Sequence, residues 1–517
     1  MLYLSETRLT KHTLFNNEIN SLGIFLMNKM KNLIFLLFLL TVSAFSVPLE
    51  NWRAPFYRIA VEQGEVTGSP SNLFWDDMRF SSIMSPFLWP DSANYSQDHW
   101  TLEPSLIPSF SNEEFITDKK ANIHFDMLSD FRFKNLTVRT VLDVDQSYNE
   151  KNPYYVWHKA RKAAGLIEEA YLQYTGKHGF ARLGRLKRNW GPFYDRSILL
   201  SNNPFAYDAF EWQLHTSFLE FRHLFSAFPR LYSYVDTKWQ KQDRYFSAHA
   251  LNFIFGEWAS IGVSETVLFS RESGLPDLQL INPFSIYSVI NTNAEGPANL
   301  MLGFQGWVHP FTDKITIKGQ LVFDDFQVDD EDVMDKEPMH WAGDFGVYWI
   351  DPLPVQLNHH ISLEYRYLSK WMYTVTTSNT FNGERYTYLG RSLGYQDIDG
   401  DFLKGSFTLA GNNFWAASAG MSLTRKDTCT IDSLWPSDTL GYTKEDPLSK
   451  RAHLKSTINA FLEAHGYFRD YFDIHLCFEN RWIRDKRELD EYEYDPRISL
   501  ILSVHFCDFF WLFNNDK

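Results

Sequence analysis

The chain has 517 residues, a formal charge of -15 at pH 7 and an aromatic content of 17%. An acidic chain of this kind excludes nucleic acid as a partner, since phosphate binding needs clustered excess Lys and Arg. A soluble enzyme of this length needs a thick apolar core, whereas mean hydropathy here is slightly negative; a membrane β-barrel fits better, because it confines apolar and aromatic side chains to a thin lipid-facing band and keeps its lumen polar.

At the start, Lys29 and Lys31 precede the apolar run 33–42 (LIFLLFLLTV), and small residues follow at Ala44 and Ser46. That order is a secretory signal peptide cleaved near Ser46, with residues 1–46 forming an upstream extension plus signal and translation beginning at Met27 or Met30. The run is too short for a membrane anchor, and no later stretch reaches about 18 uncharged apolar residues. Residues 47–120 are rich in Trp and Pro (Trp52, Pro55, Trp75, Trp89, Pro90, Trp100, Pro104, Pro108) and lack strict alternation. They read as a periplasmic or plug segment, irregular with short helical patches near 52–66 and 72–84.

From residue 121 the period becomes two. Ile123, Phe125 and Met127 alternate with polar neighbours; after a break at Lys134-Asn135, Leu136, Val138, Thr140, Leu142 and Val144 do the same. This predicts a hairpin. The pattern recurs at 245–254, 315–324, 361–367, 472–479 and 498–506, giving roughly sixteen to eighteen segments between 121 and 507. Strands of roughly 9–11 residues with alternately short and long connections suit a bilayer-crossing barrel. The fold class is therefore all-β, a transmembrane antiparallel barrel of about eighteen strands over residues 121–513, in preference to a soluble sandwich or β-helix.

One stretch, 179–208, departs from simple alternation. Phe180, Arg182, Gly184 and Leu186 fall on one side of a strand, and Ala181, Leu183, Arg185 and Lys187 on the other; a loop then opens at Trp190-Gly191-Pro192 and runs to Asn202-Asn203-Pro204. Arginine offers a planar donor fork for carboxylates, and aromatic rings stack on sugars. Arg185, Lys187, Arg188, Trp190, Tyr194 and Arg196 are thus candidates to grip an acidic polysaccharide at or beyond the membrane edge. The competing reading is a charge ladder that braces the lumen by pairing with Glu169, Asp143 and similar residues.

The same region, GRLKRNWGPFYDRSILLSNNPFAYD, resembles the signature of the Wzi family of outer-membrane capsule-assembly proteins. The likeness continues in order through 244–253 (RYFSAHALNF), 261–269 (IGVSETVLF), the Asn-Pro turn at 280–284 (LINPF), 299–307 (NLMLGFQGW) and 389–402 (LGRSLGYQDIDGDF). The resemblance implies an eighteen-stranded barrel that helps attach or organise capsular or other exported polysaccharide, without catalysis or cofactor.

Enzyme motifs are missing: GxSxG, HExxH, Walker and GxGxxG patterns do not occur. The paired carboxylates Glu168-Glu169 would face opposite sides of a strand and could not flank one glycosidic bond. His359-His360 likewise point apart, so no metal site is assigned there. Asp397, Asp399 and Asp401 with Gly400 resemble the front of a calcium loop, but Thr408 occupies the place of its bidentate glutamate, leaving at most loose divalent-ion binding. The acidic run from Asp324 to Asp335 reads as a solvated loop. Cys429, Cys477 and Cys507 are odd in number and without CxxC spacing, which supports neither a disulfide framework nor a zinc motif. The expectation is a monomeric, non-enzymatic outer-membrane barrel whose partners are surface polysaccharide and outer-membrane lipids or lipopolysaccharide; the alternative is a porin or sugar channel.

Overall fold

The computed structural model describes residues 99–505 apart from several connections. Residues 1–98 and 506–517, and within the barrel 115–117, 146–163, 194–196, 236–237, 294–297, 326–339, 376–382, 412–414, 436–447, 469–471 and a few single positions, lie outside the described residues. The expected signal peptide, most of the 47–120 segment and Cys507 therefore fall outside them.

The first strands are β1 (His99–Glu114), β2 (Asp118–Phe133), β3 (Leu136–Asp145), β4 (Ala164–Gly176), β5 (Gly179–Leu186), β6 (Tyr207–His215), β7 (Leu219–Val235), β8 (Lys238–Phe255) and β9 (Ala259–Arg271). Then come β10 (Ala298–Val308), β11 (Ile315–Asp325), β12 (His340–Ile350), β13 (Asn358–Leu368), β16 (Gly400–Gly411), β17 (Trp415–Lys426), β18 (Lys455–Phe468), β19 (Phe472–Asp485) and β20 (Leu489–His505). These make one 18-stranded sheet in which sequence neighbours pair antiparallel. A two-residue hairpin, β14 (Thr387–Tyr388) and β15 (Arg391–Ser392), sits in the connection between β13 and β16. The first strand also pairs with the last, from Ser105↔His505 to Asn112↔Ile498, so every strand has a partner on both sides. A sheet in lipid needs this, since an unpaired edge would strand backbone donors in hydrocarbon.

The barrel starts at His99 rather than at residue 121. Pro104 and Pro108 lie inside β1 and hide its period, because proline interrupts the residue pattern by which strands are read. The hairpin at Lys134-Asn135 forms where expected, with Lys134 in the left-handed region at φ 52°.

Alternation builds the wall. Along β12, His340, Ala342, Asp344, Gly346, Tyr348 and Ile350 are buried, while Phe345 and Trp349 face outward and are exposed. Connections alternate as well: 134–135, 177–178, 216–218, 256–258 and 309–314 are short, and 187–206, 272–297, 369–399 and 427–454 are long and share the opposite end. In outer-membrane barrels short turns face the periplasm and long loops the exterior.

The largest apolar cluster lies inside the barrel. It joins Leu224, Phe228, Phe246, Ala248, Leu268, Met301, Val322 and Ala342 of the wall to Trp190, Ile198, Leu199, Leu200 and Phe205 of loop 187–206 and to Met372, Tyr373, Tyr386, Leu393 and Ile398 of loop 369–399. Two long loops thus fold into the lumen as a plug against β6 to β13.

A third long loop goes the other way. Helices α1 (Leu278–Ile281) and α2 (Tyr287–Asn293) lie on the outer surface, where Leu280 and Tyr287 cover Tyr245, Val267 and Phe269. The same outward faces of β8 and β9, nearer the short-turn end, leave Phe253 and Ile261 exposed. This external flap itself exposes Leu278, Phe284, Ile286 and Val289.

Candidate functional site

The strand that led the sequence reading places its basic residues on two surfaces. Arg182 of β5 points into the lumen and Leu183 outward, where it is 60% exposed, so the outer face of β5 carries the apolar residue that lipid requires. Gly184 permits the tight fit of β5 on β4: its φ is 141°, and a Cβ there would overlap the Ala170 carbonyl.

Inside, Arg182, Arg188 and Arg222 surround one carboxylate, Glu211 of β6. Arg182 Nη2 lies 2.8 Å from Glu211 Oε2, Arg188 Nε 3.2 Å from the same oxygen, and Arg222 grips Oε1 through Nε and Nη2 at 2.7 and 2.6 Å. Arg188 also donates to the carbonyls of Leu186 and Tyr207, both at 3.0 Å, and stacks on the Tyr207 ring at 4.6 Å. Arg222 lies over the Trp190 ring at 5.1 Å. The cage therefore anchors the beginning of loop 187–206 to the wall.

From that anchor the loop is held in place by side chains of the facing strands. Gln320 of β11 accepts from Ile198 N and Ser197 Oγ, both at 2.8 Å, and donates to the Trp190 carbonyl at 3.2 Å. Loop 369–399 then closes over it. Tyr386 Oη donates to the Leu199 carbonyl at 2.8 Å and meets Thr266 Oγ1 of β9 at 3.0 Å; Tyr373 Oη donates to the Ile198 carbonyl at 2.6 Å. Ser201 N donates to the Leu393 carbonyl at 2.7 Å. Gly394 makes the approach possible, since a Cβ there would overlap the Ile198 carbonyl. Arg244 of β8 donates to the carbonyls of Gly383, Arg385 and Thr387 at 2.7, 3.0 and 2.9 Å. Burial pushes the Tyr373 and Tyr386 hydroxyls well above the usual phenol range.

The six expected glycan contacts separate accordingly. Arg188 and Trp190 have no exposed surface and, with their loop folded into the lumen, brace the plug. Tyr194 and Arg196 lie outside the described residues. Arg185 and Lys187 remain at the long-loop end of β5, 30% and 22% exposed, paired with Asp208 at 2.5 Å and Glu168 at 2.7 Å. The charge ladder exists, but its partners differ from those expected: Glu211 serves Arg182 and Arg188, while Glu169 pairs with Arg139 at 2.8 Å.

The calcium-loop candidates are also drawn apart. Asp397 pairs with Lys426 at 2.5 Å, Asp399 with Arg451, and Asp401 with Arg425 at 2.8 Å. Three carboxylates each neutralised by a different cation do not converge on an ion, so the loop reads as an ion-pair hub. His359 Nδ1 donates to the Leu357 carbonyl at 2.6 Å while Nε2 accepts from Leu353 N at 2.8 Å; both nitrogens brace a turn.

Sequence reasoning missed the outer cluster under the flap. Glu265, on the lipid-facing side of β9, accepts from Tyr287 N at 2.8 Å, Ser288 N at 3.3 Å and Ser288 Oγ at 2.6 Å, and meets His249 Nε2 at 3.2 Å. Ser247 Oγ lies 2.7 Å from Tyr287 Oη. The signal was present: alternation puts Glu265 on the same face as Ile261 and Val263, where a bare carboxylate has no place in lipid. Among the described residues the flap covers it.

The class defined by these features is an outer-membrane-type antiparallel β-barrel whose lumen holds inward-folded loops. No protein-family model matches the sequence, and no curated protein matches it either. Among solved structures the fold resembles Wzi of Escherichia coli, described as an outer membrane protein involved in group 1 capsule assembly and as a carbohydrate-binding β-barrel: TM-score 0.53 at 12% identity, over 90% of this chain and 99% of that one. The outer membrane protein OpdK of Pseudomonas aeruginosa aligns with TM-score 0.43 at 8% identity over 79% and 98% of the two chains. OprD of the same organism aligns with TM-score 0.42 at 8% identity over 79% and 95%. At such identities the likeness to Wzi is one of fold.

Proposed function

We propose that this protein is a non-enzymatic outer-membrane barrel that binds polysaccharide at its long-loop end and serves its assembly or attachment at the cell surface. The observation that carries the reading is the plug: loops 187–206 and 369–399 bond to each other and to lumenal side chains of β8, β9 and β11. A diffusion channel gains nothing from an apolar core folded into its lumen, whereas a rigid platform for an extended glycan does. The carbohydrate-binding description of the structurally similar Wzi supports the same direction. Arg185 and Lys187 are the rim cations proposed to meet acidic sugars, because they keep exposed surface while the neighbouring Arg188 is enclosed.

Two measurements test this. Cells lacking the gene lose retained surface polysaccharide, and a chain carrying Arg185→Glu and Lys187→Glu restores it incompletely although it inserts normally, as judged by heat-modifiable migration on a gel. Unchanged retention on deletion overturns the proposal. In planar bilayers the barrel passes little current; a large ohmic conductance with a sugar-dependent block favours the channel reading instead.

A further inference from the structure

Two inward-facing carboxylates of this barrel are held by arginine, Glu211 by three and Asp344 by Arg366. Glu463 on β18 differs. It is partly buried on the lumenal face together with Phe461 and His465, and the side-chain contact recorded for it is the Cys477 thiol, 4.0 Å from Oε1. No arginine approaches it in an ion pair among the described residues; the nearby cation, Lys404, lies over the Phe461 ring at 4.9 Å. Its neighbours are imidazoles. His465 follows two residues along the same strand, and His475 of β19 stands directly opposite His465 in the antiparallel register, as Cys477 stands opposite Glu463.

This arrangement gathers three ligating groups in one place. In a strand, residues i and i+2 share a face, and the opposed residue of the next strand brings its Cβ within about 5 Å of the one it faces and about 7 Å of the other. The His465 and His475 rings are stacked at 4.1 Å with planes only 9° apart. One donor atom from each of Glu463, His465 and His475 lies within 4.8 Å of the others. His465 is 5% exposed, and neither its Nδ1 nor the Nε2 of His475 has a hydrogen-bond partner among the described residues. A buried imidazole and a partly buried one, each with an unclaimed nitrogen, beside a carboxylate, supply the donor types of a ligand set.

We infer that Glu463, His465 and His475 bind a divalent transition-metal ion of the zinc class on the lumenal wall, near the short-turn end of β18 and β19. Two imidazoles and one carboxylate suit Zn²⁺, which takes three protein ligands and leaves a fourth position for water or another donor. Calcium and magnesium, which require oxygen ligands, fit poorly. Zinc ligands sit at about 2.0–2.2 Å, so side-chain rotation must draw the three donors inward by roughly 1 Å and turn the two stacked rings toward a common point. The site lies on the wall formed by β17 to β20, away from the plug, and is independent of the proposed glycan role. The pattern Glu-x-His followed in the next strand by His-x-Cys is its sequence signature.

The test uses the full chain, folded in detergent micelles and stripped with a chelator, then titrated with Zn²⁺ by calorimetry and with Co²⁺ followed by absorption spectroscopy. The expected result is saturable binding of one equivalent, with a tetrahedral Co²⁺ spectrum. His465→Gln with His475→Gln weakens it by more than the roughly 10–100-fold lost when an outer-shell partner is removed. His178→Gln, in the exposed turn 177–178, leaves it unchanged. Absence of stoichiometric binding in the parent chain, or affinity indifferent to the double substitution, overturns the inference. If the double variant does not fold, the isosteric Glu463→Gln carries the decision, and unchanged Zn²⁺ affinity in it overturns the site.

Discussion

Loops 187–206 and 272–297 leave the same end of the barrel and settle on opposite sides of its wall. Inside, the wall chiefly donates to loop carbonyls: Gln320 Nε2 to that of Trp190 and Arg244 to three of the companion loop, although Gln320 Oε1 also accepts from Ile198 N. Outside, the direction reverses, with Glu265 of the wall accepting from the backbone N–H groups of Tyr287 and Ser288 in the flap. The difference teaches that strand alternation assigns a residue to a face without saying what covers that face. Donor-rich wall positions recruit loop carbonyls, and an acceptor-rich position recruits loop amides. In each case the polar group is satisfied where no water is available to do it.

The comparison is broken most severely on the inner side by Glu211→Gln. Three buried guanidinium groups would lose their counter-charge, a change that costs about 3–5 kcal/mol in comparable pairs. Urea unfolding followed by heat-modifiable migration reads it, and a loss below about 1 kcal/mol would mean the cage is not what anchors the plug. On the outer side Glu265→Ala leaves two amides of the flap unpaired at about 1–3 kcal/mol. Limited proteolysis then cuts within 272–297 while the barrel stays intact; equal protection of the flap would show that its apolar contacts suffice.

Much of the wall was legible in the sequence. The alternation at 315–324 became β11, the Lys134-Asn135 break became the β2–β3 turn, and Arg182 and Leu183 lie on opposite faces of β5 as the alternation implied. The destinations of the loops were not. A basic and aromatic stretch reads alike whether it lies on a rim or enters a lumen, because what decides is distant: Gln320 lies 123 residues from its partner Ser197, and Gly394 lies 193 from Ser201. Asp397, Asp399 and Asp401 show the same blindness, since their local spacing suggests a shared ion while three separate cations claim them. Glu265 was the exception that carried a readable warning, a carboxylate in register with Ile261 and Val263.

Smaller effects sharpen the contrast. Their full burial in the plug predicts that Tyr373 and Tyr386 resist alkaline titration. An unfolded phenol ionises near pH 10, and both hydroxyls are raised above it in the folded chain, so the stability they contribute is fully present below about pH 10 and fades as pH climbs further. Ultraviolet titration would count them as late-ionising rings, and Tyr386→Phe would remove one. Smallest of all is Arg185→Ala. Its pair with Asp208 is solvent-exposed and contributes about 0–1 kcal/mol, so unfolding should hardly change.

The plug also constrains the order in which the molecule can be assembled. Its two halves come from segments nearly two hundred residues apart, so the Leu199 and Ile198 carbonyls wait without their tyrosine donors until the strands through β13 are in place. Long-range closure of this kind is slow because the loop entropy is lost before the contacts form. The lumen is therefore completed late, after most of the wall has formed. A nascent barrel would pass through a hollow stage with loop 187–206 undocked, and a chain interrupted before residue 369 would be arrested there.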